Sequence, residues 1–436
     1  MISNATALRI GAAAITLAAT SIAHAQPTKA AQRKEVKPRH TEPADSPEIV
    51  GYFPQWAIYN RRYIPIDLIH SGAIRSITQL DYAQANIRDN ACVVADPLAD
   101  INMVFKAEDS IDGVADDPAT PLRGNFRQLQ LLRQLYPKLR VLISIEGKTD
   151  LFVEAAKPEN RAAFVHSCIA RFLEGHIAPG IEAKLFDGID VDWEYPGADD
   201  AENFYALMAE FRRQMDAIRW KSTALRAGTT QRGYTLSIAA GAAQKHIQPI
   251  NWKTVAQSVD QIGVMTYDFN GPWSRDTGFT APLASSNPRA ETVTTTITAF
   301  LNGGAPAKQL LLGIPFYAYQ WKNVTPGTSY GLNSKGDPVH GNLNQSTAAT
   351  MMQSPNAQLH RDPLSHAPWI FDGNNFLTFE DAVSLKAKRD YVHQLGMGGY
   401  MIWELSGDTN DAQLLRALAA PSAHSTTPTA DGGTAP

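Results

Sequence analysis

Eight short apolar runs separated by amphipathic stretches predict an α/β chain closed into a (β/α)8 TIM barrel. The runs are Ile49–Phe53, Ile77–Ile87, Arg140–Ile145, Phe186–Glu194, Tyr234–Ala240, Gln261–Phe269, Leu310–Phe316 and Gly398–Leu405. Helix-like periodicity at 126–135, 161–173, 201–218, 292–301 and 379–395 lies between them, as parallel strands joined by crossovers require. A doubly wound open sheet is the alternative, but no glycine-rich phosphate loop follows the first run.

Taken in chain order, the N-terminus reads as an export signal over residues 1–25. Arg9 supplies a positive charge, Ile10 to Ala19 a short apolar stretch, and Ala23-His24-Ala25 a small-x-small cleavage site. The apolar stretch falls short of the roughly 20 residues that span a bilayer, so no membrane span is expected. Residues 26–47 are rich in Pro and charge and read as a flexible leader. The barrel is expected over residues 48–420. About eighty residues, Tyr317 to Gly396, separate the seventh and eighth runs, too many for one helix and its loops. A small inserted α+β subdomain at about 318–378 is expected there, with a long irregular lid as the alternative. The tail, residues 421–436, is polar and proline-broken and reads as disordered.

Formal charges of 39 and 43 leave a net −4, which gives no support to nucleic acid as a partner. A neutral ligand fits better, and 8 Trp, 14 Tyr and 16 Phe offer flat faces for sugar rings, although most such rings fill cores. Cys92 and Cys168 are the two cysteines. In an oxidising compartment they form one disulfide or remain two buried thiols, and spacing alone leaves both open. No His or Cys pair falls at a metal-ligand spacing, so neither metal nor cofactor is expected.

The chemistry concentrates in Phe186-Asp187-Gly188-Ile189-Asp190-Val191-Asp192-Trp193-Glu194-Tyr195-Pro196. Strand side chains alternate faces, so Asp190, Asp192 and Glu194 point one way and Ile189, Val191 and Trp193 the other. In a barrel the acids face the lumen, about 6.6 Å apart along the strand. Ionised carboxylates so crowded repel one another, and at least one should hold a proton beside an ionised neighbour. Glycosidic cleavage requires that pairing of acid and anion. A lone strand carboxylate is ordinarily a surface group; three in alternation, backed by apolar residues, are costly to bury without a task. A hard-cation site is the rival reading of such a cluster. Asp187 has the opposite parity, and strand alternation does not place it.

This segment resembles the D-x-x-D-x-D-x-E signature of glycoside hydrolase family 18, the chitinase family. Gly51-Tyr52-Phe53 is similar to that family's first strand, Met265-Thr266-Tyr267-Asp268-Phe269 to its sixth, and Gly399-Tyr400-Met401-Ile402-Trp403-Glu404 to its eighth. The likeness runs from about Ile49 to Ala419. It implies retaining hydrolysis of β-1,4-linked N-acetylglucosamine in chitin or its oligosaccharides; the N-terminal signal adds the expectation of a secreted protein, periplasmic or extracellular, and a monomer is expected. In that family the acetamido oxygen of the bound sugar attacks the anomeric carbon, giving an oxazolinium ion. The resemblance makes Glu194 the general acid, Asp192 the residue between Asp190 and the acetamido group, and Tyr267 the hydroxyl that steadies that group. It makes Trp403 the floor of the sugar pocket, Tyr52 and Met265 its wall, and Asp268 a further polar contact. Phe53, Ser144, Asp187 and Tyr195 complete the expected substrate-binding set.

The third run departs from the family's Ser-x-Gly-Gly pattern. It reads Ser144-Ile145-Glu146-Gly147-Lys148. Ser144 is expected to touch Asp190, Glu146 to add a carboxylate at the barrel mouth, and Lys148 to replace an aromatic platform; a solvated Glu146–Lys148 pair is the plainer alternative. An endo-β-N-acetylglucosaminidase and a non-catalytic sugar-binding relative remain as other readings. Lectin-like relatives typically lose the last Glu of the motif, and Glu194 is retained.

Overall fold

The computed structural model describes residues 47–223 and 233–420. The expected export signal, most of the leader and the polar tail lie outside them. Eight parallel strands form the barrel: β1 (Glu48–Pro54), β2 (Gln79–Arg88), β3 (Arg140–Gly147), β4 (Gly188–Trp193), β5 (Thr235–Gly241), β6 (Gln261–Met265), β7 (Leu310–Pro315) and β8 (Gly399–Trp403). Each pairs with its sequence neighbour, and β8 returns to β1, with Val50 opposite Met401, to close the ring. Closure removes every edge of the sheet and leaves two apolar compartments.

The outer compartment packs one alternating set of strand residues against the crossover helices. Trp193 on β4 is fully buried, stacks on Phe152 at 5.4 Å and meets the edge of Phe204 on the helix Ala201–Thr223. Burying an aromatic of that size stabilises the fold by roughly 1.5–3 kcal/mol. It also locks the parity of β4, because a one-residue slip would drive the acids into this core. Helix starts follow from the sequence where a side chain can cap: Thr292 accepts from the Thr295 amide ahead of the helix Val293–Asn302, and Asp381 from Val383 and Ser384 ahead of Ala382–Leu395.

Beyond the barrel, β2 turns into an antiparallel strand, Ala91–Val94. Cys92 on it is bonded to Cys168 at the end of the helix Pro158–Cys168, with Cα atoms 4.8 Å apart. The open question of the two cysteines is thus resolved as a disulfide, closing a loop over a sequence separation of 76. Between β7 and β8 lies a five-stranded antiparallel sheet made of 337–343, 318–322, 376–378, 368–371 and 358–361, in that spatial order. A short helix, Ser346–Met351, packs on it through Ala348 and Met351. Its other face, through Tyr317, Tyr319, Trp321, Trp369 and Phe376, joins the lumen residues Tyr52, Met265, Tyr267 and Met401 in one cluster. The insertion is therefore a wall of the barrel mouth. No helix among the described residues is long and apolar enough to cross a membrane.

Candidate active site

A cavity of about 560 Å³ opens at the C-terminal ends of the strands. Asp192, Glu194, Tyr195, Glu146, Met265, Tyr267, Asp268, Tyr52 and Trp403 line it, together with Tyr317 from the start of the insertion. The acidic column forms as parity dictates. Asp190 is deepest and buried, Asp192 stands above it with 6 % of its surface exposed, and Glu194 emerges at the mouth.

The three acids differ in what meets them. Asp190 accepts from Tyr52 at 2.8 Å, Ser144 at 2.7 Å and Ser237 at 2.7 Å. Burial raises its pKa, and those three hydroxyl donors oppose the rise, so Asp190 is the member best held as an anion. Asp192 has no such help: among the described residues no donor reaches its buried Oδ1. Burial first, then the charges of Glu194, Asp190 and Glu146, push its carboxyl well above the usual range. Burial also raises Glu194, with Asp268 adding to the rise and the Tyr195 hydroxyl opposing it. Acids this close titrate as a set. Hydroxyl donors favour the anion at the base of the set, and burial with like charge favours the proton toward its mouth.

Opposite the column, β6 ends at Met265, earlier than the apolar run predicts. The chain turns at Thr266–Asp268, with Asp268 at φ 61°, and this turn carries both Tyr267 and Asp268 to the cavity. Strand alternation alone would have separated them. Asp268 accepts from Tyr317 at 2.6 Å and Tyr319 at 3.0 Å. The Tyr267 hydroxyl donates to Met401 Sδ at 3.6 Å. Two glycines make room for these rings. A Cβ on Gly313 would stand 3.0 Å from Tyr267 Cε1, and one on Gly241 would stand 2.7 Å from Tyr195 Cε1. Trp403 also lines the cavity, its ring centroid 5.3 Å from that of Tyr52 and 6.1 Å from that of Trp56. Tyr195 lies over His246, with ring centroids 4.0 Å apart.

Three expected ligand contacts are corrected by their positions. Phe53 has outward parity, is fully buried and stacks on Tyr82, so it belongs to the outer core. Asp187 precedes β4 at the opposite end of the barrel, paired with Arg133 and accepting from the Val141 amide at 3.0 Å. Ser144 is outside the cavity lining but donates to Asp190, as expected of it. Glu146 does line the mouth, whereas Lys148 is exposed at the start of the helix Thr149–Ala155, and no pair joins the two among the described residues.

Sequence reasoning passed over Ser237, Met401, Tyr317 and Tyr319. Ser237 was legible as a second hydroxyl, after Thr235, at alternate positions of an otherwise apolar strand. Met401 shares parity with Trp403 on β8. Tyr317 and Tyr319 alternate just after β7, but only the fold shows that they reach back to Asp268. Among the described residues no group of three or more His, Cys, Asp or Glu side chains is placed to hold a metal ion.

The family model described as "Glycosyl hydrolases family 18" matches residues 48–408. Chitinase 63 of Streptomyces plicatus is 32 % identical over 388 residues, covering 85 % of this chain and 59 % of that protein. Chitinase A1 of Niallia circulans is 30 % identical, covering 86 % of this chain and 58 % of its own length. The chain thus spans under three fifths of these curated relatives. Among solved structures, the catalytic domain of the psychrophilic chitinase B from Arthrobacter TAD20 superposes with a TM-score of 0.75 at 29 % identity, over 86 % of this chain and 94 % of that one.

Proposed function

From the premise that this chain belongs to glycosyl hydrolases family 18, we propose that it hydrolyses β-1,4 linkages between N-acetylglucosamine units of chitin or chitooligosaccharides, with retention. The observation that carries this reading is the Asp190–Asp192–Glu194 column, anchored as an anion at its base and opening into a cavity walled by Tyr267 and Trp403.

The chemistry follows from that layout. A sugar ring stacks on Trp403, placing its glycosidic oxygen at Glu194, which donates the proton as the bond breaks. The acetamido carbonyl oxygen closes on the anomeric carbon, so no protein nucleophile is needed. The Asp192 Oδ1, unpartnered among the described residues, accepts the acetamido N–H. The Tyr267 hydroxyl leaves Met401 and donates to the acetamido oxygen, holding it in line. Positive charge on the oxazolinium ion is met by the Asp190–Asp192 pair. Water, activated by the now ionised Glu194, then opens the ring from the face the leaving group vacated. The relatives named above as chitinases support the substrate class. The pattern of charge, apolar run and small-x-small site at residues 1–25 supports export.

Release of a fluorophore from chitobiose and chitotriose conjugates tests the assignment. Glu194→Gln should cut kcat/KM by at least about 10³-fold while the circular dichroism and melting profile stay those of the wild type. Equal release by the two proteins would remove Glu194 as the acid, and with it the reading.

A further inference from the structure

Glu146 is a carboxylate that the reaction just described does not use. It sits on β3 directly beside Asp192, its register partner on β4, at the parity that faces the lumen. Adjacent strands lie about 4.8 Å apart, so its side chain enters the mouth next to both Asp192 and Glu194. It lines the same cavity as those two acids, and none of the described Lys, Arg or His side chains forms an ion pair with it. A carboxylate left unpaired among others is unfavourable to folding unless its charge has a use.

We propose that Glu146 is a positioning residue for the catalytic proton, a second negative wall that keeps a proton on the Asp192–Glu194 pair until substrate arrives. The proposal rests on Glu194 being the acid. Its physical basis is reciprocity: charges that interact raise one another's proton affinity, whichever group holds the proton at a given moment. Burial and the Glu194 charge raise Glu146, and Glu146 in turn is among the causes that raise Asp192. Other titratable groups border the cavity. Tyr195 comes from beyond β4 and Asp268 from beyond β6. Lys245 and His246 follow β5, and Glu291 precedes the helix Val293–Asn302. Asp268 acts on Glu194, whereas Glu146, opposite Asp192 in β3–β4 register, is the one among these that adds to the rise at Asp192.

The test is the pH dependence of kcat/KM on an aryl chitotrioside for the wild type, Glu146→Gln and Glu146→Asp. Losing a nearby negative charge makes the proton easier to lose. The alkaline limb of Glu146→Gln should therefore fall at least about half a pH unit below that of the wild type, while Glu146→Asp, which retains the charge, stays near it. Coincident limbs for wild type and Glu146→Gln would overturn the proposal. The carboxyl titration of ¹³C-labelled Glu194 and Asp192, followed by NMR in wild type and Glu146→Gln, reads the same coupling without turnover. A wild type that does not hydrolyse the chitotrioside would fell the functional reading, whereas unmoved titrations would fell the role of Glu146.

Discussion

The two ends of β4 carry carboxylates in opposite circumstances. At the N-terminal end Asp187 is tied down, with Arg133 on one oxygen and the Val141 amide on the other. Seven residues later Glu194 meets cavity space, and Asp192 below it holds an oxygen that no donor reaches among the described residues. Burial raises the proton affinity at both ends, but at Asp187 the guanidinium and the amide oppose it, whereas at Asp192 every neighbouring charge adds to it. A carboxylate with its partners in place serves the fold. One surrounded by its own kind is strained electrostatically, and a ligand that meets it gains what the fold has left unsatisfied.

The contrast is broken or sharpened by substitution at each position. The largest effect is expected at Asp192. Asp192→Asn should lower kcat/KM by about 10²–10³-fold, because the carboxyl group that accepts the acetamido N–H and, with Asp190, meets the oxazolinium charge is lost. The same variant should be more stable than wild type at pH 8, by about 1–2 kcal/mol in urea unfolding. The sign follows from the raised folded-state pKa. Folding then favours the protonated acid, so wild type carries no penalty below the ordinary carboxylate range and the full penalty above the raised value. The gap between variant and wild type should therefore close as pH falls toward 3. A variant less stable than wild type at pH 8 would show that Asp192 is satisfied after all.

A smaller loss is expected across the cavity. Tyr267→Phe removes one hydroxyl that rests on a sulfur in the free protein, and should slow kcat by about 10–100-fold with the melting temperature nearly unchanged. A normal turnover number would mean that the hydroxyl does not orient the acetamido group.

The smallest effect on catalysis belongs to the tied end. Asp187→Ala should leave kcat/KM within about twofold of wild type while costing about 1 kcal/mol of stability, since the ion pair is partly exposed and screened and the amide bond is the firmer of its two contacts. A large loss of turnover with unchanged melting would reverse the division between the two ends.

How much of this was legible beforehand depended on the range of the interaction involved. The eight strands were visible as apolar runs because burial on both faces acts locally and repeatedly along each segment. The inward direction of Asp190, Asp192 and Glu194 was visible for the same reason, once Ile189, Val191 and Trp193 claimed the other face. Phe53 and Asp187 were misjudged through likeness of letters to a motif, although the parity of Phe53 already pointed outward. Asp268 entered the cavity through a left-handed turn that strand alternation does not anticipate.

Sequence alone determined the barrel, the insertion after β7 and the order of acids along β4, because each is written into neighbouring residues with a period of two or of 3.6. Tertiary structure decided which acid is best placed to be held as an anion. Asp190 acquires its three hydroxyl donors from β1, β3 and β5, residues separated from it by 138, 46 and 47 positions. It decided likewise that Cys92 meets Cys168, that Tyr317 and Tyr319 hold Asp268, and that Glu146 stands beside Asp192. Proton affinity and reactivity are set by what lies within a few ångströms in space, and in a closed barrel those neighbours come from strands far apart along the chain.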